Sequence, residues 1–151
     1  MQRPTDVTPE ISVRPARQGA SALATGPLAI VGGCGHVGLP LGLAFARKGY
    51  QVDLIDTSAE RIALVNSGKM PFHEDDAEEL LARSIQSGLV KATADPAALE
   101  DAAAIIVTIG TPVDEYLDPS VVAFDKSLEE LLQRVRPGQL LILRKIGRAH
   151  V

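Results

Sequence analysis

Residues 27–38 read Pro-Leu-Ala-Ile-Val-Gly-Gly-Cys-Gly-His-Val-Gly, and the fold turns on how this stretch is read. Leu28, Ala29, Ile30, Val31 and Gly32 are apolar or small and run straight into Gly33-Cys34-Gly35-His36-Val37-Gly38. A periodic segment follows at once. Val37, Leu41, Ala44, Phe45 and Lys48 fall at i, i+4, i+7, i+8 and i+11, which predicts a helix with these positions along its packed face. The glycines therefore stand where a buried strand turns into a helix. Gly33 is expected to allow the tight turn, Gly35 to let a pyrophosphate approach the backbone, and Gly38 to let the helix lie close to the strand. The free N–H groups and positive dipole end of the new helix would face the phosphates.

Glycines also punctuate ordinary turns, so the motif needs its context. A second strand-like run, Gln51-Val52-Asp53-Leu54-Ile55-Asp56, ends in an acid 18 residues past Gly38. A carboxylate there can accept hydrogen bonds from adenosine ribose hydroxyls and would repel a 2′-phosphate. The pattern therefore predicts a dinucleotide site that takes NAD rather than NADP.

The chain of 151 residues is long enough for one domain with a real core, and its 46% hydrophobic and 23% charged content is ordinary for a globular protein. A formal net charge of −4 leaves no basic footprint for nucleic acid and no polybasic patch for a membrane surface. No apolar run approaches the roughly 20 residues needed to span a bilayer. The single cysteine, Cys34, rules out an internal disulfide and fits a reducing cytoplasm. Residues 1–25 carry Pro4, Pro9, Pro15 and Gly19 and lack the apolar stretch of a secretory signal, so they read as a disordered leader.

Between 26 and 144 the pattern alternates. A strand and helix fill about 27–48, and Gly49 ends that helix. The second strand runs 51–56, with Asp56 or Thr57 able to cap a helix carrying Ile62, Leu64 and Val65 that ends near Gly68. The loop Lys69-Met70-Pro71-Phe72-His73 leads to the acidic start Glu74-Asp75-Asp76 of a third helix, which ends at Gly88. A short strand spans Leu89–Thr93, and a brief helix follows Asp95-Pro96. Ala103–Ile109 reads as a strand buried on both faces. After a polar stretch, a helix is expected to bury Val121, Phe124, Leu128, Leu131, Leu132 and Val135. It would show Asp125, Lys126, Glu129, Glu130, Gln133 and Arg134 mostly to solvent, ahead of a strand at Gln139–Leu143. Such alternation predicts an α/β fold: a Rossmann-type, doubly wound parallel sheet in a single domain, joined by right-handed crossovers.

Gly33 to Leu41, the Asp56 strand end, the Gly68…Pro71…Glu74 loop, Gly110-Thr111-Pro112-Val113 and Leu140 to Arg144 occur in an order that resembles the N-terminal domain of the UDP-glucose/GDP-mannose dehydrogenases. The similarity covers about residues 27–144 and is nearest to nucleotide-sugar 6-dehydrogenases of the UDP-N-acetylmannosamine type. The resemblance implies an NAD-dependent oxidation of a UDP-sugar C6 alcohol to a carboxylate. It also implies a homo-oligomeric parent and cofactor contacts from Gly33, Gly35, His36, Val37, Gly38, Asp56, Arg61 and Thr111. Two other readings stay open: the NAD domain of a hydroxyacyl-CoA or hydroxyacid dehydrogenase, and a stand-alone NAD-binding module without catalysis.

The chain departs from the family after Arg144, where Ser-Thr and a Pro-Gly turn are expected. Residues 145–151 read Lys-Ile-Gly-Arg-Ala-His-Val instead, and IGRAHV resembles the in-frame translation of a sequencing-library adapter. This tail is therefore expected to be non-native, the sheet to lack its last strand, and the fragment to be inactive. The family's nucleophilic cysteine lies beyond this chain, and Cys34, set inside the glycine turn, is expected only to fill space. Hence no catalytic residue and no metal are assigned. His73 beside Glu74 and Asp75 reads as a solvated loop, since one His with flanking acids is not a ligand set. For Glu74 two readings stay open, an approach to substrate that the resemblance implies and an acid at the start of its helix; Asp114, Glu115 and Asp118 are read as solvent-exposed, with a place along the cofactor cleft as the alternative.

Overall fold

The computed structural model describes residues 26–109 and 121–144, with backbone only for 121–125. The leader, the Thr111 segment with its acidic loop, and the 145–151 tail lie outside the described residues. Five strands form one sheet: β1 (Leu28–Val31), β2 (Val52–Ile55), β3 (Val90–Thr93), β4 (Ala104–Val107) and β5 (Leu140–Leu143). All pairings are parallel, in the order β3-β2-β1-β4-β5. The helices are α1 (Gly38–Arg47), α2 (Ala59–Asn66), α3 (Ala77–Gln86) and α4 (Val121–Leu132), with a short 3₁₀ turn at Pro96–Leu99. Among the described residues no helix is long and apolar enough to cross a membrane.

The sheet is covered on both faces, which is why its central strands read as unbroken apolar runs. One layer packs Leu39, Leu43 and Ala46 of α1, Val65 of α2 and Leu81 of α3 against Leu28, Ile30, Val52, Leu54, Ala104 and Ile106. The opposite layer packs Leu99, Ala102 and Leu131 against Ala29, Ile55, Ile105 and Val107. Because β1 and β4 lie side by side, the chain winds outward in both directions from them and leaves a crevice at their carboxyl ends. Among the described residues no strand pairs with the outer edge of β5, and Leu140, Ile142 and Leu143 are exposed.

Polar side chains close the ladder where strands cannot. Leu89 and Thr93 turn their carbonyls to β2, so Ala92 between them faces outward. There the Asn66 amide accepts from Ala92 N–H and donates to Ala92 C=O, both at 2.9 Å. At the other side, Gln139 Nε2 donates to the Leu99 and Ala102 carbonyls at 2.7 Å, tying the entry of β5 to the 3₁₀ turn. Arg134 and Arg136 both reach the Glu100 carboxylate.

Several local expectations shift. The buried face of α1 is Gly38, Leu39, Gly42, Leu43 and Ala46 rather than the Val37–Leu41–Ala44–Phe45–Lys48 line; Ala44 and Lys48 are exposed. Close approach decides this. A Cβ at Gly42 would lie 2.8 Å from Leu54 Cδ2, so the glycine side of the helix is the side that meets the sheet. Leu41 and Phe45 pack at the flank of the same core. The cap of α2 is Ser58, whose Oγ accepts from Arg61 N–H at 3.3 Å, because Asp56 and its carboxylate are engaged elsewhere. Glu74, Asp75 and Asp76 precede α3 rather than begin it; Asp76 takes a left-handed φ of 57°, and Glu78 and Glu79 supply the acids of the first turn. Leu132, expected inside, is 46% exposed on α4.

The glycine turn is built by steric exclusion. A Cβ on Gly38 would run into the Gly32 carbonyl oxygen and sit 2.8 Å from Gly33 Cα. At Gly35 the nearest atom would be Gly32 O at 3.4 Å, an ordinary contact. Gly38→Ala is therefore expected to destabilise the fold by about 3 kcal/mol, the upper end of an overpacking cost, and Gly35→Ala by well under about 1 kcal/mol. Urea unfolding followed by circular dichroism, with equal losses for the two variants as the contrary result, checks this.

Candidate functional site

The crevice at the carboxyl ends of β1, β2 and β4 is a cavity of about 940 Å³, bounded by the glycine turn, the β2 end, the segment after β3, the β4 end and one side of α4. Ligand clefts are commonly of this size, and open α/β sheets bind ligands at this place.

The turn itself is held to β2. Gly32 N–H and Gly33 N–H both donate to the Ile55 carbonyl, at 2.8 and 3.1 Å, and Gly35 N–H donates to the Gly32 carbonyl at 3.2 Å. The residue with the left-handed backbone is Gly32, φ +75°, so the tight turn expected of Gly33 belongs one position earlier. Gly33 is demanded by contact instead: a Cβ there would lie 2.7 Å from Leu54 Cβ. Gly33 and Gly38 thus shape the turn from behind, while Gly35, His36 and Val37 line the cavity.

The helix that leaves this turn has an unusual start. Among the described residues no side chain caps the N-terminus of α1, and no acid stands in its first turn. Its neighbours differ in charge: α2 has the Ser58 cap and Glu60, and α3, which likewise has no side-chain cap among the described residues, has Glu78 and Glu79 in its first turn. An N-terminus whose positive dipole end is left uncompensated and opens on a cavity favours an anion. Gly35 adds room, since among the described residues the nearest atom to the place its Cβ would take is Gly32 O at 3.4 Å. The turn therefore fits the pyrophosphate of a dinucleotide.

Asp56 stands at the opposite rim. Its Oδ2 accepts from Cys34 N–H and its Oδ1 from Ser58 N–H, each at 3.0 Å. The carboxylate thus locks the glycine turn to the β2 end while still facing the cavity, with lone pairs left for a diol. Thr57 and the exposed Arg61 line the cavity beside it, and Ala94, Pro96 and Leu99 form an apolar wall that suits an adenine ring.

Residues that sequence reading passed over complete the crevice. Thr108 is buried, and its hydroxyl donates to the Val31 carbonyl at 2.8 Å, in parallel with the Thr108 N–H at 2.9 Å. It joins the ends of β1 and β4 at the floor. The β-branched run that marked the strand concealed it, since nothing in the sequence separates a packed threonine from a bonded one. Glu130, Gln133 and Arg134, read as a solvent face of their helix, stand along the cavity. Thr111 lies outside the described residues.

Cys34 is 0% exposed, and burial first, then the Asp56 carboxylate, pushes its thiol up to about 12, against the lowering effect of Arg61. A thiol held protonated inside a turn is no nucleophile. His73 and Asp75 pair at 3.2 Å on the surface, and among the described residues no group of three His, Cys, Asp or Glu could hold a metal ion. Glu74 is exposed and stands ahead of α3.

Residues 28–145 match the UDP-glucose/GDP-mannose dehydrogenase family, NAD binding domain. The chain is 25% identical over 111 residues to the UDP-N-acetyl-D-mannosamine dehydrogenase of Yersinia pestis, covering 74% of this chain and 26% of that protein. It is 34% identical over 84 residues to the UDP-glucose 6-dehydrogenase of Pseudomonas aeruginosa, covering 55% and 18%. In structure it is similar to the GDP-mannose dehydrogenase of Pseudomonas aeruginosa, with a TM-score of 0.71 and 26% identity over 80% of this chain and 28% of that one. A glycerol-3-phosphate dehydrogenase of Coxiella burnetii, with a TM-score of 0.57 and 21% identity, shares the fold alone. The chain spans about a quarter of the length of most of these relatives.

The raised Cys34 pKa has a readable sign. The unfolded thiol ionises near 9.0 and the folded one near 12, so the unfolded state gives up its proton first. The stability this group contributes is whole below 9 and is lost as pH rises towards 12. Folded protein is expected to resist iodoacetamide at pH 9 and to react fully once urea unfolds it. Rapid labelling of folded protein, read by mass spectrometry, would show an accessible thiolate.

Proposed function

The chain belongs to the UDP-glucose/GDP-mannose dehydrogenase family, as its NAD-binding domain, and from that premise we propose that it presents NAD in a nucleotide-sugar 6-dehydrogenase. The observation that carries this reading is the uncapped N-terminus of α1, opening on a cavity whose other rim holds Asp56.

In this reading, Gly35, His36 and Val37 face the pyrophosphate, and Gly33 and Gly38 let α1 come close enough to bring its positive dipole end there. Asp56 accepts from the adenosine ribose hydroxyls, and Arg61 flanks the adenosine. By the family resemblance Thr111, four positions after the last residue of β4 in the sequence, would serve the nicotinamide half. The bound nicotinamide supplies the hydride acceptor for oxidation of a sugar C6 alcohol. The chain's own part is to bind and orient. Cys34 cannot carry the aldehyde-to-acid half of such a reaction, which needs an accessible thiolate to form a thiohemiacetal. The names of the relatives favour a UDP-sugar as the parent's substrate. Our reading places the parent in the cytoplasm as a homo-oligomer, with 26–144 as the domain and 145–151 as a non-native tail.

The 151-residue chain is expected to bind NADH more tightly than NADPH, and Asp56→Ala to narrow the gap. That substitution also releases Cys34 N–H, but a loosened turn weakens both nucleotides alike, so the ratio isolates the ribose contact. Equal affinities for unmutated protein in calorimetry would remove the role given to Asp56. With NAD and a panel of UDP-sugars, the chain alone should produce no absorbance at 340 nm, and measurable turnover would place the whole active site within it.

A further inference from the structure

The loop after α2 reaches back to the glycine turn. The imidazole of His36 and the ring of Phe72 stack with centroids 4.1 Å apart and planes inclined by 25°. His36 is exposed and lines the cavity, between Gly35 and Val37. Phe72 is half-buried and, with Met70, packs against the core formed by α1, α3 and the sheet. It stands behind His36, and its ring is not part of the cavity wall. The two come from segments 36 positions apart that no strand pairing joins.

An exposed imidazole on a glycine-flanked turn would lose rotamer freedom on contacting a ligand. The stack removes part of that freedom beforehand. Met70 and Phe72 anchor the loop in the core, and Pro71 between them restricts its backbone. The anchored ring gives the imidazole a flat surface to lie on.

We infer that Phe72 is a positioning residue for the cofactor: from outside the cavity it holds the His36 ring at the face of the turn that meets the pyrophosphate. The loop after α2 thereby contributes to dinucleotide affinity without touching the dinucleotide. This inference rests on the proposed reading of the turn as the pyrophosphate site.

The test is NADH titration by fluorescence into the full chain, which has no tryptophan to interfere, and into Phe72→Leu, Phe72→Tyr, His36→Ala and the Phe72→Leu/His36→Ala double variant. Phe72→Leu keeps an apolar anchor and loses the ring face. It is expected to weaken NADH about three- to tenfold, the scale of one aromatic contact. Phe72→Tyr restores binding, and the double variant is no weaker than His36→Ala, because both changes act through one ring. In parallel, the His36 ring protons in the nuclear magnetic resonance spectrum should stand upfield in unmutated protein and return downfield in Phe72→Leu. Unchanged affinity in Phe72→Leu, additive losses in the double variant, or His36 signals indifferent to Phe72 would overturn the inference alone. Unchanged affinity in His36→Ala, which leaves the core intact, would do so whatever Phe72→Leu does to stability. A chain that binds no NADH at all would overturn the pyrophosphate reading and the inference with it.

Discussion

Everything at the crevice depends on how closely α1 lies against the glycine turn after β1 and against β2. The contact leaves no room for a side chain on the glycines: a methyl group at Gly38 meets the Gly32 carbonyl, one at Gly33 meets Leu54 Cβ at 2.7 Å, and one at Gly42 meets Leu54 Cδ2 at 2.8 Å. With no side chain between them, the helix starts directly at the carboxyl end of β1. Its positive dipole end then faces the space that β1 and β4 open by winding in opposite directions. A thicker interface would move the dipole end away from the cavity and leave an ordinary buried helix.

The same closeness explains the double duty of Asp56. A carboxylate at the end of β2 lies within 3.0 Å of Cys34 N–H only because the turn has been drawn down onto the sheet. It satisfies a backbone donor in the turn and another at Ser58 before any ligand arrives. The charge that would select a ribose diol therefore also sets the shape of the turn. It also helps keep the Cys34 thiol protonated, so chemistry and architecture are coupled through one side chain. Second-row groups extend this pattern: Thr108 joins the floor strands, and Phe72 backs His36.

Legibility in the sequence followed the range of the interactions. The strand runs, the glycine turn and the acid at the end of β2 are local signals, each set by neighbours within a few residues, and they were readable. The burial of Cys34 followed from its place in that turn. The packed face of α1 was not readable, because two faces of that helix are apolar and the choice between them was made by Leu54, on another strand. Nor was the cap of α2, since Asp56 was a competent cap until the turn claimed it. Glu130, Gln133 and Arg134 looked like a solvent face because a cavity rim and a solvated surface ask for the same polar residues.

The sequence by itself determined the alternation of strand and helix, the place of the glycine turn, the acid at the end of β2, and the unsuitability of Cys34 as a nucleophile. These are matters of local sterics and charge, written in spacing and residue type. Tertiary structure alone decided which glycine bends the turn, which side of α1 meets the sheet, and that Thr108, Gln139 and Asn66 close the ladder. It also brought Phe72 to His36 across 36 positions. Such pairings depend on which segments the folded sheet brings within 3–4 Å of each other, and periodicity along the chain carries no record of that.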